Sequence, residues 1–325
     1  MSGCKKTGSK DVALEEFIKI VLMSGKTALE LALYVLLPVL VIMMALMKVV
    51  EARGVLALVA RVIQPVLKYS GVPGAGVFAM LQLLLVSFAA PLATLAIMEK
   101  DNTARRRIAA TLAMLFTMSQ ANAVFPLAAV GLDLGMIMAT SVAGGLISAA
   151  LTYYLFARSA DGNDLSIVAA EEVTPKKGRG SLLGLMIGGG QEAVQVVLGA
   201  IPILILAIFL VNLLKVSGAI AGLETLLSPF FGSIGVPAVA VLPIATKYLA
   251  GGTAMMGVTL NLVKEGAITI QELNRMAGFI INPCDLVGVA VLISAGARSA
   301  SVVRPAIAGA AVGIVIRGVL HLLIF

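Results

Sequence analysis

The chain has 325 residues, of which 60% are hydrophobic and 13% charged, with a mean hydropathy of +1.05. A soluble domain of this size cannot hide so much apolar surface in its core, so lipid must be the solvent for much of it. The net charge of +7 is scattered over the ends of apolar segments, with no compact basic face, which argues against nucleic acid as a partner.

In chain order, residues 1–24 are a polar tail followed by a stretch, 11–24, expected to lie on the membrane surface as an amphipathic helix. Residues 27–50 form an apolar helix long enough to cross about 30 Å of hydrocarbon at 1.5 Å per residue. Residues 54–69 are a shorter helix punctuated by Arg61 and Lys68, which suits the interface. Residues 72–99 are apolar but interrupted at Ala89-Ala90-Pro91, and 105–131 carry the polar cluster Ser119-Gln120-Ala121-Asn122. Residues 134–157 are a plain span. A polar linker, 158–186, holds Asp161, Asp164, Glu171 and Glu172 and then Lys176, Lys177 and Arg179.

The same order then returns. Residues 187–214 span and 218–233 are short. Residues 236–263 break at Gly251-Gly252-Thr253, 271–297 carry Asn282-Pro283-Cys284-Asp285, and 303–325 span. At one ungapped offset of 164, Gly25 matches Gly189, Pro38 matches Pro202, Gly54 matches Gly218 and Pro65 matches Pro229. Gly71-Val72-Pro73 matches Gly235-Val236-Pro237 at the same offset. Apolar identities are cheap in such a chain, but ordered glycines and prolines mark shared backbone breaks. The fold class is therefore an all-α integral membrane protein of two repeats, 25–157 and 187–325.

Were the interrupted segments re-entrant hairpins, each repeat would cross three times and the repeats would be inverted. Arg53, Arg61, Lys68, Arg105, Arg106, Arg107, Arg158, Arg298 and Arg304 then share one side, which the positive-inside rule makes cytoplasmic. The rival, a parallel repeat, brings Lys5, Lys6 and Lys10 inside but exposes Arg53, Arg61 and Lys68. Inverted repeats are favoured.

Inverted repeats with broken helices place a solute site near the midplane, where freed backbone groups face a cavity. The candidate binding residues are Gln82 and Ser87 in the first hairpin and Ser119, Gln120 and Asn122 in the first broken helix. Their counterparts are Thr246, Lys247 and Thr253 in the second hairpin and Asn282 and Asp285 in the second broken helix. The plainer alternative is that these glycines and prolines merely permit tight packing. Lys247 lies in an apolar stretch four residues before Gly251, so its ammonium needs a partner or an anionic ligand, unless it snorkels to the interface. Asp285 is the candidate partner, in a pair that would couple transport to proton or substrate binding. His321 and Arg317, on one face of the last helix, read as interfacial. No metal cluster, phosphate-binding glycine loop or nucleophile–base pair stands in the sequence. Neither an enzyme nor a cofactor is expected, and Cys4 and Cys284 are not expected to pair.

This order of parts resembles the transport core of concentrative nucleoside transporters and the wider nucleoside recognition (Gate) family, which includes spore maturation membrane proteins. The resemblance covers roughly residues 25–325. Those transporters carry Gly-Gln-Thr-Glu-Ala-Pro-Leu in the first hairpin, where this chain has Val86-Ser87-Phe88-Ala89-Ala90-Pro91-Leu92. The Ala-Pro-Leu frame is kept, and the ligand positions become Ser87, Phe88 and Ala89. Their second hairpin has Thr-Lys followed by an acid, where Thr246-Lys247 precede Gly251-Gly252-Thr253. Gly278-Phe279 and Asn282-Pro283-Cys284-Asp285 are similar to their seventh helix, with one residue inserted. The resemblance implies an elevator-like secondary transporter of a small polar solute, coupled to protons or sodium, and a homo-oligomer in the lipid bilayer. The lost acids count against a nucleoside ribose, and Lys247 points to an anionic or zwitterionic solute. A membrane module that works only with a partner, as the spore maturation relatives suggest, is the second reading, and a true nucleoside transporter is the other alternative.

Overall fold

A computed structural model of the chain describes residues 6–160, 181–218 and 238–325. The linker's charged residues and segment 219–237, where the second interfacial helix is expected, lie outside the described residues. Within them the chain is helical, and five helices are long and apolar enough to cross a membrane: Leu14–Ala52, Arg105–Ala128, Leu134–Phe156, Leu182–Leu214 and Val303–Ile324. This is a multi-pass membrane protein.

The first span differs from expectation. Helix α1 (Lys6–Glu30) runs through a π-helical turn, Leu31–Leu36, into α2 (Leu37–Ala52) with no break at Gly25. A surface helix at 11–24 is thereby replaced by a continuous rod whose apolar part, Leu14–Ala52, has 39 residues. That is about 58 Å, well beyond the hydrocarbon thickness. The reason is a partner. Helix α9 (Leu182–Val216) packs along both α1 and α2. Asn212 donates to the Ser24 hydroxyl at 3.0 Å, Ser24 donates to the Ile20 carbonyl at 2.7 Å, and Phe17 meets Phe209 edge-on at 5.6 Å. Further along, a Cβ on Gly189 would lie 2.6 Å from the Met44 carbonyl oxygen, so this repeat-matched glycine is what lets α2 and α9 touch backbones.

Helix α3 (Val55–Leu67) follows Gly54, whose φ of +72° turns the chain, and leaves Val55, Leu58 and Val62 exposed. Helices α4 (Gly74–Leu85) and α5 (Pro91–Lys100) then pack on each other across a break at 86–90. At 12 and 10 residues they reach about 18 and 15 Å, half a bilayer each. Helices α10 (Val241–Ala250) and α11 (Gly252–Lys264) form the corresponding pair, turning at Gly251 with a φ of +88°.

Two helices are broken at mid-length. Helix α6 (Arg105–Thr117) gives way to extended backbone at Met118 and Gln120 before α7 (Ala121–Ala128). Helix α12 (Ile270–Ile280) does so before α13 (Leu286–Ile293), with Asp285 extended at φ −130°, ψ 173°. Pro283 explains the second break, since it donates no hydrogen bond and biases Asn282 away from helix. Helix α8 (Leu134–Leu151), the five-residue α14 (Ala297–Ser301) and the last span, α15 (Val303–Ile324), complete the described elements. Helix α15 packs against α6, α8 and α12.

Candidate functional site

The second hairpin tip, both helix breaks and the scaffold helix α9 enclose a cavity of about 390 Å³, its open mouth included. Gln120 and Asn122 enter from the first broken helix, Asp285, Val287 and Gly288 from the second, and Gly251, Gly252 and Thr253 from the second hairpin. Phe88 arrives from the first hairpin tip and Ile203 from α9. The tip approaches closely because it has no side chains: a Cβ on Gly252 would sit 2.5 Å from Gln120 Nε2 and 3.8 Å from Asp285 Oδ2. The Asn122 Oδ1 atom is buried and has no hydrogen-bond partner among the described residues. An unmet acceptor of this kind costs about 1–3 kcal/mol, and a ligand donor entering the cavity would remove that cost.

Lys247 and Asp285 form an ion pair whose side chains are 0% and 3% exposed. The aspartate's other oxygen caps α13, accepting from the Gly288 N–H at 2.7 Å. Asp285 lies on the cavity wall, whereas Lys247 is held behind it. The expectation of a net positive site is therefore corrected. The ammonium is paired with its carboxylate before any solute arrives, so Lys247 does not face the cavity as a free cation.

The remaining candidates divide by what their side chains already do. Gln82 accepts from Thr94 at 2.7 Å across the first hairpin and donates to Glu51 of α2 at 3.0 Å. Thr246 donates to its own helix at Leu242. Asn282 folds onto the break itself, donating to the Phe279 carbonyl and accepting from the Cys284 N–H. Ser119 donates to the Ile281 carbonyl at 3.0 Å and so joins one break to the other. Ser87 is half-buried beside the first tip and does not line the cavity. Ile203 escaped the sequence reading, and Phe88, though at a ligand position of the resemblance, was not among the candidate binding residues. Phe88 stands between Ser87 and Ala89 at the ligand positions of the first hairpin and was the legible one of the two.

Arg317 and His321 are also not where the sequence suggested. Both are fully buried, not interfacial. His321 bonds the Asn274 carbonyl at 2.6 Å and Thr140 at 2.9 Å. Arg317 reaches the two helix breaks. Room for it comes from Gly144 on α8, where a Cβ would lie 2.3 Å from Arg317 Cγ, a vacancy no inspection of α15 alone reveals.

Residues 33–135 match the nucleoside recognition (Gate) family. This Gate segment contains the first hairpin and the first broken helix, hence Phe88, Gln120 and Asn122 of the cavity. Among solved structures, a variant of the concentrative nucleoside transporter CNTnw in an intermediate 2 state is similar over 98% of this chain and 84% of that one, with a TM-score of 0.69 and 19% identity. CNTnw in an inward-facing substrate-bound state gives a TM-score of 0.66 at 18% identity over 98% and 86% of the two chains. An outward-facing CNTnw variant gives 0.64 at 17% identity over the same shares. At such identities the likeness is one of fold: this is a membrane protein with a nucleoside-transporter-like architecture. Among curated proteins, Spore maturation protein B of Bacillus subtilis (strain 168) is 34% identical over 77 residues, 24% of this chain and 43% of that protein. The match thus spans less than half of that relative's length.

Proposed function

We propose that the chain is a secondary transporter that carries a small, uncharged, hydrogen-bonding solute by elevator-like alternating access, drawing on a proton or sodium gradient. The unmet acceptor of Asn122 in a cavity where both breaks meet the second hairpin tip is the observation that carries this reading. An unpartnered buried amide is a steady cost to a protein that binds nothing. The pairing of Lys247 with Asp285 supports an uncharged cargo, since an anion would have to compete with a carboxylate already in place. The inverted arrangement of the two repeats belongs to the same proposal, as does assembly into a homo-oligomer.

The test is uptake into liposomes holding the purified protein alone, preceded by a thermal-shift panel of nucleobases, nucleosides, neutral amides, zwitterionic amino acids and carboxylates, with and without sodium. Stabilisation and uptake of a neutral member, both lost in Asn122→Leu, is the expected result. Stabilisation by carboxylates alone would refute the neutral-solute assignment. The match to Spore maturation protein B favours a second reading, a module active only with a partner chain. A flat panel with no uptake, reversed by supplying such a partner, would establish that alternative.

A further inference from the structure

We propose that Arg317 is a positioning residue that pins the two helix breaks together and thereby sets the width of the cavity. Its Nη1 donates to the Thr117 carbonyl at the end of α6 and to the Ile281 carbonyl just past α12, the latter at 3.2 Å. Its Nη2 donates to the Ser119 hydroxyl at 2.5 Å, and that hydroxyl donates onward to Ile281. One guanidinium therefore bridges the C-terminal ends of both half-helices. Each such end carries about half a negative charge, so two together balance a single cation. Among the described residues no carboxylate is paired with Arg317, and its side chain is buried on all sides. The backbone ends themselves hold its charge.

The cavity depends on this arrangement because its walls begin where the pinned residues stop. Gln120 follows Ser119 directly, Asn122 lies three residues on, and Asp285 lies four after Ile281. A planar fork with several donors in fixed geometry can hold two carbonyls and a hydroxyl at one spacing, which an ammonium on a flexible stem cannot. Without the pin, two facing carbonyl ends of like partial charge would separate, and the cavity would open.

The inference builds on the cavity proposed as the solute site, but its test needs no solute. Thr253→Cys on the cavity wall is the reporter, in a background with Cys4→Ser and Cys284→Ser. The exposed Ser301→Cys serves as control. Labelling rates with a small polar maleimide are compared in detergent for Arg317, Arg317→Lys, Arg317→Met and Ser119→Ala. The expected result is an increase of at least threefold at the reporter in Arg317→Met, a partial return in Arg317→Lys, and no change at the control. Should Arg317→Met fail to fold, Arg317→Lys and Ser119→Ala carry the test: each speeds labelling, and together they do so by less than the product of their separate effects. Reporter rates equal to the parent's, or effects that simply multiply, would overturn the assignment. An absence of uptake in the transport assay leaves this outcome unaffected.

Discussion

Replacing Lys247 by Met removes the cation from a pair with side-chain exposures of 0% and 3% and leaves the Asp285 carboxylate without its partner. Breaking a buried pair from one side costs about 3–5 kcal/mol, because the surviving charge has lost both its water and its partner. Two features moderate the loss here. The carboxylate keeps the Gly288 N–H and the positive end of α13, and it borders the cavity, where water can reach it. The expected cost of Lys247→Met is therefore near the lower bound, about 3 kcal/mol. Asp285→Asn should cost at least as much, since Lys247 sits behind the wall with no such relief, although Asn still caps the helix. In the double variant neither charge remains and the cap survives, so the loss should fall to about 1 kcal/mol. The assay is equilibrium unfolding of the detergent-purified protein by added SDS, followed by far-UV circular dichroism. A double variant as unstable as the sum of the singles would refute the pairing and return Lys247 to an independent role.

Asn122→Leu should raise resistance to unfolding by about 1 kcal/mol, because an unmet buried acceptor is replaced by apolar contact, while solute binding in the thermal-shift panel is lost. Gly252→Ala should reduce solute affinity at least tenfold with little change in stability, because its Cβ meets only the movable end of Gln120; isothermal titration of the solute found in the panel checks it. Ser24→Ala should cost about 0.6–1.7 kcal/mol in SDS unfolding by stranding the Asn212 amide between α1 and α9, with uptake retained.

The order of helices, hairpins and breaks was legible because it rests on backbone chemistry that single residues announce. Pro283 and the paired glycines Gly251 and Gly252 stand at breaks, although Gly188-Gly189-Gly190 and Pro202 are carried inside the unbroken α9, so such residues permit a break and packing decides it. The Lys247–Asp285 pair was legible for a related reason, as a lone cation in an apolar run has few ways to exist. What stayed hidden depended on neighbours distant in sequence. Gly25 looked like a boundary, but α9 supplies Asn212 and Phe209 to a helix that then continues through it. Arg317 and His321 looked interfacial because they stand close to Phe325, and only the vacancy at Gly144 and the carbonyls of Thr117 and Ile281 give the guanidinium a buried place. The cancellation of the Lys247 charge was only half legible: Asp285 was its candidate partner, but the position of the ammonium behind the cavity wall depends on the fold.

That cancellation bears on transport itself. A unit that slides through a bilayer with an uncompensated charge meets a barrier of several kcal/mol from desolvation, and the membrane potential adds about 2.3 kcal/mol per charge for each 100 mV. Among the described residues, Asp285 cancels the charge of Lys247, whereas the two helix ends stabilise the Arg317 cation locally and leave its net charge in place. In the proposed cycle the Lys247–Asp285 pair therefore adds no net charge to the return of the empty carrier. An uncharged cargo adds none on the way across, whereas an anion would add its own desolvation cost. Whatever fixed charge a carrier holds travels out and back in one cycle, so under the proposed coupling the net charge moved with a neutral solute is that of the coupling ion. Uptake that is electrogenic in a gradient and electrically silent in solute exchange would fit this account. Steady net charge movement during solute exchange would mean that the solute itself carries charge, and would contradict it.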